Sequence, residues 1–237
     1  MKIYAVKKNE LEGLNKDEAM QLTDAKRRQR INQIKLEEDR LRSIGAGLLL
    51  RYAYLKAGHT VEDWNSLDFM EGENGKPFLS EEQFFFSLSH SGDWVVCAVD
   101  SQIIGIDIEQ MKDCKLQVAK RFFALKEYEQ LQAQGENRVL FYKMWTAKES
   151  YTKMTGTGLT VPMSEIVCEV ENNYILDCES MEYTRMHYIE EIENYMICIC
   201  VKEEKTELPC RMEILSGRQL LEGCYAECEW KKCGKKG

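Results

Sequence analysis

Apolar residues recur along the chain in two rhythms, and the switches between them lay out the elements. Residues 2–6 read as a short strand. Residues 17–42 hold no proline or glycine and are rich in helix formers, so they predict helix. Gly45 and Gly47 are expected to interrupt it, residues 48–55 are helical again, and Gly58-His59-Thr60 marks an end. Residues 71–77 carry Gly72, Asn74, Gly75 and Pro77, which is turn chemistry. Residues 84–88 and 94–99 predict an antiparallel hairpin, with a turn over residues 89–92 that leaves Ser89 and His90 exposed at its open end.

The run from Ile103 to Glu109 alternates: Ile104, Ile106 and Ile108 face one way, Gly105, Asp107 and Glu109 the other. It predicts a strand with a carboxylate pair on one face. Helices follow over residues 115–134 and 138–154, the second ended by Gly156 and Gly158. Short strands return, among them residues 166–170 and 196–201. A helical segment followed by short strands in each half predicts an α+β fold, a pseudo-dimer of two similar lobes meeting near residue 103. The expected division is a first lobe over residues 1–102, a second over 103–218, and a tail over 219–237 that frays at its end.

Composition narrows the class. The 237 residues are 44% hydrophobic and 30% charged with three prolines, as in a soluble globular enzyme or binding protein. Residues 1–8 lack the apolar core of a signal peptide and no stretch approaches a membrane span, so a cytoplasmic protein without a membrane partner is expected. The ten cysteines are scattered and read as thiols, mostly core filler. Cys224, Cys228 and Cys233 have no CxxC pair or nearby histidine to make a zinc site. The formal charge of -8 argues against nucleic acid. Lys26, Arg27, Arg28 and Arg30 nonetheless form a cluster that can hold a small anion; a solvated helix face is the plainer alternative.

Asp107 and Glu109 leave their strand about 6 to 7 Å apart, close enough for both carboxylates to converge on one cation. Taken alone, such a pair is more often a solvated sheet face. Glu149 sits in a helix with Leu140, Phe141, Met144 and Trp145, and Lys153 lies one turn further on the same face. If that face meets the strand, three carboxylates offer the hard oxygens that Mg²⁺ prefers and leave sites for water and substrate phosphates, at which Lys153 would be aimed. Otherwise Glu149 and Lys153 are a surface pair. His90, in Ser-Leu-Ser-His-Ser-Gly, fits anion contact better than nucleophilic catalysis, because no Gly-x-Ser-x-Gly elbow is present.

With these residues in place, the chain closely resembles the surfactin-synthetase type (Sfp-type) of 4'-phosphopantetheinyl transferases. The resemblance is carried by Gly75-Lys76-Pro77, Phe86-Ser87-Leu88-Ser89-His90-Ser91-Gly92, Gly105-Ile106-Asp107-Ile108-Glu109, Arg121-Phe122-Phe123 and Trp145-Thr146-Ala147-Lys148-Glu149-Ser150-Tyr151-Thr152-Lys153, in the family's order. It implies two lobes with coenzyme A and Mg²⁺ in the cleft between them. Asp107, Glu109 and Glu149 would ligate the metal, Lys153 would contact the pyrophosphate, and Lys148 would lie nearby. Ser89 and His90 fall where the family holds coenzyme A phosphates, and Lys76 and Pro77 where it meets the adenine nucleotide. The 3'-phosphate falls to Arg27, Arg30 and Ser43, with Lys26, Arg28 and Arg42 as alternatives.

The reaction so implied is attack by a serine of an apo acyl or peptidyl carrier protein on the β-phosphorus of coenzyme A, releasing 3',5'-ADP. Glu149 or a water on the metal takes the serine proton. The expected enzyme is a monomer that meets its carrier through the second lobe, with Lys120, Arg121, Phe122 and Phe123 as a basic and apolar patch. A Mg²⁺-dependent phosphohydrolase and a catalytically silent carrier-binding module are the competing readings.

Overall fold

The computed structural model describes residues 1–72, 74–79, 83–158, 160–202 and 211–225. The first lobe opens with β1 (Lys2–Lys7) and three short helices, α1 (Lys8–Glu12), α2 (Lys16–Gln21) and α3 (Ala25–Gln33). A 20-residue helix, α4 (Glu37–Lys56), follows, then α5 (Val61–Ser66) and the small hairpin β2 (Phe69–Glu71) and β3 (Pro77–Leu79). The lobe continues through β4 (Phe85–Ser91) and β5 (Trp94–Asp100).

The continuous helix expected over residues 17–42 is three helices. Asp24 is the reason for one break: its carboxylate caps α3 by accepting from the Arg27 amide at 2.8 Å, which fixes a helix start there. Ile34 and Leu36 are extended and separate α3 from α4, whose first turn carries Glu37, Glu38 and Asp39 at the positive end of its dipole. Gly45 and Gly47 do not interrupt the helix; they lie inside α4 where neighbours press close. A Cβ at Gly45 would stand 2.6 Å from Leu11 Cδ1, and one at Gly47 2.5 Å from Thr23 Cγ2.

The second lobe runs β6 (Ile104–Gln110), α6 (Leu116–Phe122), α7 (Leu125–Ala133) and α8 (Arg138–Thr155). A 3-10 turn at Met163–Glu165 leads into β7 (Ile166–Glu169), β8 (Tyr174–Asp177), β9 (Tyr183–Ile189) and β10 (Tyr195–Val201). The helix expected over 115–134 is broken where Phe123 and Ala124 turn extended, with the Glu127 carboxylate accepting from the Ala124 amide to start α7. These strands form an antiparallel sheet in the order β6-β10-β9-β8-β7.

The chain then returns to the first lobe. Here β11 (Glu213–Leu215) pairs in parallel with β1, completing the order β11-β1-β5-β4, and α9 (Gly217–Tyr225) packs on α4. Residues 211–218 therefore add to the first sheet, although sequence placed them in the second lobe. Residues 219–225, where the tail was expected to begin, are part of a packed helix: Leu220 and Cys224 are buried, and the Cys224 carbonyl accepts from Arg51 Nε; the end expected to fray lies outside the described residues. Cys228 and Cys233 lie outside the described residues.

The two lobes of an α+β fold are thus stacked as helix, sheet, sheet, helix. Phe86 and Leu88 face α4, and Met196, Cys198 and Cys200 face α8. Between the sheets a third cluster joins Ile3, Ala5, Val96 and Ala98 of the first to Ile104, Ile106 and Ile108 of the second. Each isoleucine removed from water there contributes roughly 1.5–3 kcal/mol, so the alternation of β6 is what binds the lobes. It also turns Gly105, Asp107 and Glu109 toward α8. No helix of the described residues is long and apolar enough to cross a membrane.

Candidate active site

The site lies where β4, β6 and the C-terminal half of α8 meet. Gly105 sets the distance: a Cβ there would stand 1.9 Å from the Ser150 carbonyl oxygen and 2.6 Å from the Met154 amide, so α8 rests directly on the β6 backbone. That contact brings Glu149 and Lys153 over Asp107. Lys153 Nζ donates to Asp107 Oδ1 at 2.6 Å and to Ser89 Oγ at 2.8 Å, and Ser89 Oγ donates to the same Oδ1 at 2.8 Å. Lys153 is therefore paired across the cleft with Asp107, beyond the helix-surface pair that its spacing from Glu149 allows.

Asp107 is 4% exposed, and its second oxygen, Oδ2, is buried without a hydrogen-bond partner. Burial, followed by the charge of Asp107, raises the carboxyls of both Glu109 and Glu149 above the usual range; Lys153 opposes the shift in each. Ser91 and Trp145 hydrogen-bond Glu109 and pull it back down. Among the described residues, no three His, Cys, Asp or Glu side chains stand close enough together to hold a metal as they are placed. The donor set still suits a hard cation: three carboxylates within one another's field, and one buried oxygen with an unused lone pair.

Beside the carboxylates opens a cavity of about 320 Å³, lined by Lys76, Pro77, Leu88, Glu149, Lys153 and Gly156 among others. Gly156 takes a left-handed conformation at φ 75° and ends α8, letting the chain turn away from the opening. Asn74 donates to the Gly156 carbonyl at 3.0 Å, and Lys76 Nζ to the Met154 carbonyl at 3.2 Å, so this loop of the first lobe is tied to the end of α8. Burial pushes the Lys76 ammonium down to about 8.

Pro77 also lines a second recess with Asp24, Lys26, Arg27, Arg30 and Glu71. Arg30 is held there by an ion pair to Glu71, and Arg27 reaches Asp24 at 3.4 Å. Ser43 sits one turn before Gly47, the position that meets Arg27, and so shares the side of α4 that faces α3. Of the alternative cations, Arg28 is spent on the Thr23 and Gln21 carbonyls and Arg42 on the Gly92 carbonyl and Asp39.

His90 is lowered below its ordinary value, first by the crowding of protein atoms around its ring, although one edge stays open to solvent, and then by the charges of Arg42 and Lys153. It is therefore a neutral donor or acceptor near neutral pH. The structure corrects its setting and that of Ser89: β4 runs on to Ser91 and the turn is at Gly92 and Asp93, so both residues lie in the strand beside the turn, with Ser89 buried and His90 exposed.

Two expected residues lie elsewhere. Lys148 points away from the cleft into the second lobe, where it is fully buried, pairs with Glu127 at 2.7 Å and donates to the Met163 and Ile166 carbonyls. Phe123 is buried against Phe141, leaving Lys120, Arg121 and the part-exposed Phe122 at the surface. Sequence reasoning missed Glu127, whose signal was its third position in α7, and Ser87 and Ser91, whose signal was their alternation with Phe86 and Leu88.

Known proteins share this arrangement in order and extent. Residues 103–200 match the family model of the 4'-phosphopantetheinyl transferase superfamily, and residues 15–102 match that of the 4'-phosphopantetheinyl transferase N-terminal region. A 4'-phosphopantetheinyl transferase of Bacillus subtilis is 34% identical over 207 residues, covering 84% of this chain and 92% of its own. The 4'-phosphopantetheinyl transferase Sfp of Bacillus subtilis (strain 168) is 30% identical over 228 residues, covering 93% of this chain and 100% of its own. The gsp enzyme of Aneurinibacillus migulanus is 38% identical over 129 residues, 54% of this chain and 53% of its own. With the two Bacillus subtilis enzymes aligned over nearly their whole length to both lobes, the chain belongs to the 4'-phosphopantetheinyl transferase family and is a transferase of that kind.

Proposed function

We propose that this enzyme moves the 4'-phosphopantetheine group of coenzyme A to a serine of an apo acyl or peptidyl carrier protein, in a Mg²⁺-dependent reaction that releases 3',5'-ADP. It does so as a cytoplasmic monomer, with the first lobe holding the nucleotide and the second the metal and the carrier. The observation that carries the reading is the cavity in which Lys76 of one lobe meets Glu149 and Lys153 of the other. Two ammonium groups and a half-buried carboxylate converging on one opening suit a pyrophosphate carrying a metal ion better than a neutral ligand.

The roles follow from each group's surroundings. Arg27, Arg30 and Ser43 take the 3'-phosphate in the recess behind Pro77. Lys76 and Pro77 hold the adenine nucleotide. Ser89, His90 and Lys153 orient the phosphates, Lys153 as a fixed charge and His90 as a neutral donor. Asp107, Glu109 and Glu149 hold Mg²⁺, whose chemistry when bound is to offset negative charge on the pyrophosphate oxygens. Glu149, or a water on the metal, would accept the proton of the carrier serine as its oxygen attacks the β-phosphorus. The bond from that phosphorus to the bridging oxygen breaks, and the nucleotide leaves as 3',5'-ADP.

Intact mass spectrometry of apo carrier proteins incubated with the enzyme, coenzyme A and Mg²⁺ tests this, beside a Glu149→Ala control. A carrier gaining one phosphopantetheine mass, and losing that gain in the control, is the expected result. Coenzyme A cleaved without any carrier would replace the proposal with a hydrolase, and coenzyme A bound without turnover of any carrier would replace it with a silent binding module.

A further inference from the structure

The two sheets are joined in an unusual way. Strands β4 and β6 are edges of their own sheets, and edge amides need partners when buried. The partners here are side chains. Ser87, Ser89 and Ser91 project from one face of β4, and their hydroxyl oxygens accept from the β6 amides of Ile106 at 3.0 Å, Ile108 at 3.3 Å and Gln110 at 3.1 Å. A hydroxyl accepts and donates at once. Ser89 donates to Asp107 Oδ1 and Ser91 to Glu109 Oε2, each at 2.8 Å. The joint between the lobes and the aim of the carboxylates are therefore one set of hydrogen bonds.

We propose that Ser91 is a positioning residue for cation binding: by bridging the Gln110 amide and the Glu109 carboxylate, it fixes Glu109 toward the cleft that the lobe joint creates. The claim rests on the metal reading above and adds a group to it that touches neither substrate nor cation. Ser91 suits the part because its other surroundings are rigid. The next residue, Gly92, has φ 54° and no room for a Cβ, which would stand 2.4 Å from Tyr195 Oη and 2.9 Å from Gln110 Oε1. The Asp93 amide donates to that same Tyr195 hydroxyl at 3.0 Å, and Arg42 donates to the Gly92 carbonyl at 2.8 Å. The β4–β5 turn is thus clamped to the second lobe and to α4, so the Ser91 hydroxyl has little freedom to follow Glu109 elsewhere.

Ser87 provides the internal comparison. It makes the same joint bond, to Ile106, but lies two residues from Ser89 on the side away from Glu109. The test is direct Mn²⁺ binding to the full chain at saturating coenzyme A, read by loss of the free-ion electron paramagnetic resonance signal, with folding checked by thermal melts. Ser91→Ala should weaken Mn²⁺ binding roughly tenfold, as loss of a partner that orients a ligand does. Ser91→Thr, which keeps the hydroxyl, should restore most of it. Ser87→Ala should lower the melting temperature without that loss of affinity. Equal affinity in Ser91→Ala and the unchanged protein would overturn the positioning role alone, as would equal weakening in Ser87→Ala. Failure of the unchanged protein to bind Mn²⁺ would overturn the metal reading and the positioning role together.

Discussion

Lys148 and Glu127 meet at 2.7 Å in the interior of the second lobe, their side chains 0% and 2% exposed. The pair is saturated on both sides. Lys148 also donates to the Met163 and Ile166 carbonyls, and Glu127 accepts from the Ala124 and Cys168 amides at 2.8 and 2.7 Å. Four elements, α7, α8, the 3-10 turn and β7, are tied through two charges. Removing one charge strands the other in a place water does not reach, which costs about 3–5 kcal/mol. Lys148→Met should therefore lower stability by that amount in chemical denaturation. Its KM for coenzyme A, measured on the folded fraction, should stay close to that of the unchanged enzyme. A tenfold rise in that KM with little loss of stability would return Lys148 to the phosphates.

Gly105 carries a prediction of a different kind, because its effect on the site is mechanical. Alanine there has no space below the Ser150 carbonyl and the Met154 amide. Helix α8 must lift or β6 must bend, and either takes Glu149 and Lys153 off Asp107. Overpacking of this sort costs about 1–3 kcal/mol. The expected outcome for Gly105→Ala is a loss of kcat out of proportion to the loss of stability, measured as turnover beside a denaturation curve. Full turnover in a destabilised protein would mean that α8 has freedom the contact does not suggest.

These two residues also mark how far the sequence could be read. The alternation of Ile104, Ile106 and Ile108 with Gly105, Asp107 and Glu109 is local, and the structure keeps its two faces. Lys148 could have been placed by the same logic. It falls in the series Phe141, Met144, Lys148, Tyr151, spaced by three and four, all buried; its neighbour Glu149 is a hundred degrees around the helix. The motif's run of charges outweighed the periodicity. What no local pattern carried is contact between distant segments: the return of β11 to β1, the clamp of Tyr195 on the β4–β5 turn, and the serine joint, which needs the register of two strands from different lobes.

Lys76 should make binding of the coenzyme sensitive to mildly alkaline pH. Burial lowers its ammonium to about 8, so the free enzyme loses this charge as pH rises through that value. The dependence of kcat/KM reports the free enzyme; kcat/KM for coenzyme A should fall between pH 7 and 9. Lys76→Arg stays charged throughout and should remove that limb of the profile. Stability should move the opposite way. The unfolded chain holds the Lys76 proton up to the ordinary lysine range while the folded chain has released it, so between about 8 and 10 this group makes folding more favourable as pH rises. A wild-type profile flat from pH 7 to 9 would show that Lys76 carries no charge needed for binding.

Carrier docking has to overcome like charge, since the chain is itself at a formal -8 and acidic carriers are the expected partners. Local chemistry must supply what net charge does not. The end of α6 offers it: Lys120 and Arg121 are exposed, the Arg121 guanidinium lies 5.0 Å over the Phe122 ring, and Leu125 beyond the break is 73% exposed. Stacking holds Arg121 in a defined position at modest entropic cost. Glutamate at this position reverses the charge and loses the stack. Arg121→Glu should raise KM for the carrier by tenfold or so, about 1.4 kcal/mol, while KM for coenzyme A, proposed to lie in the cavity beside Lys76 and Lys153, should be unchanged. Equal effects on both substrates would mean the change has spread to the cleft, and no effect on either would place the carrier on another face.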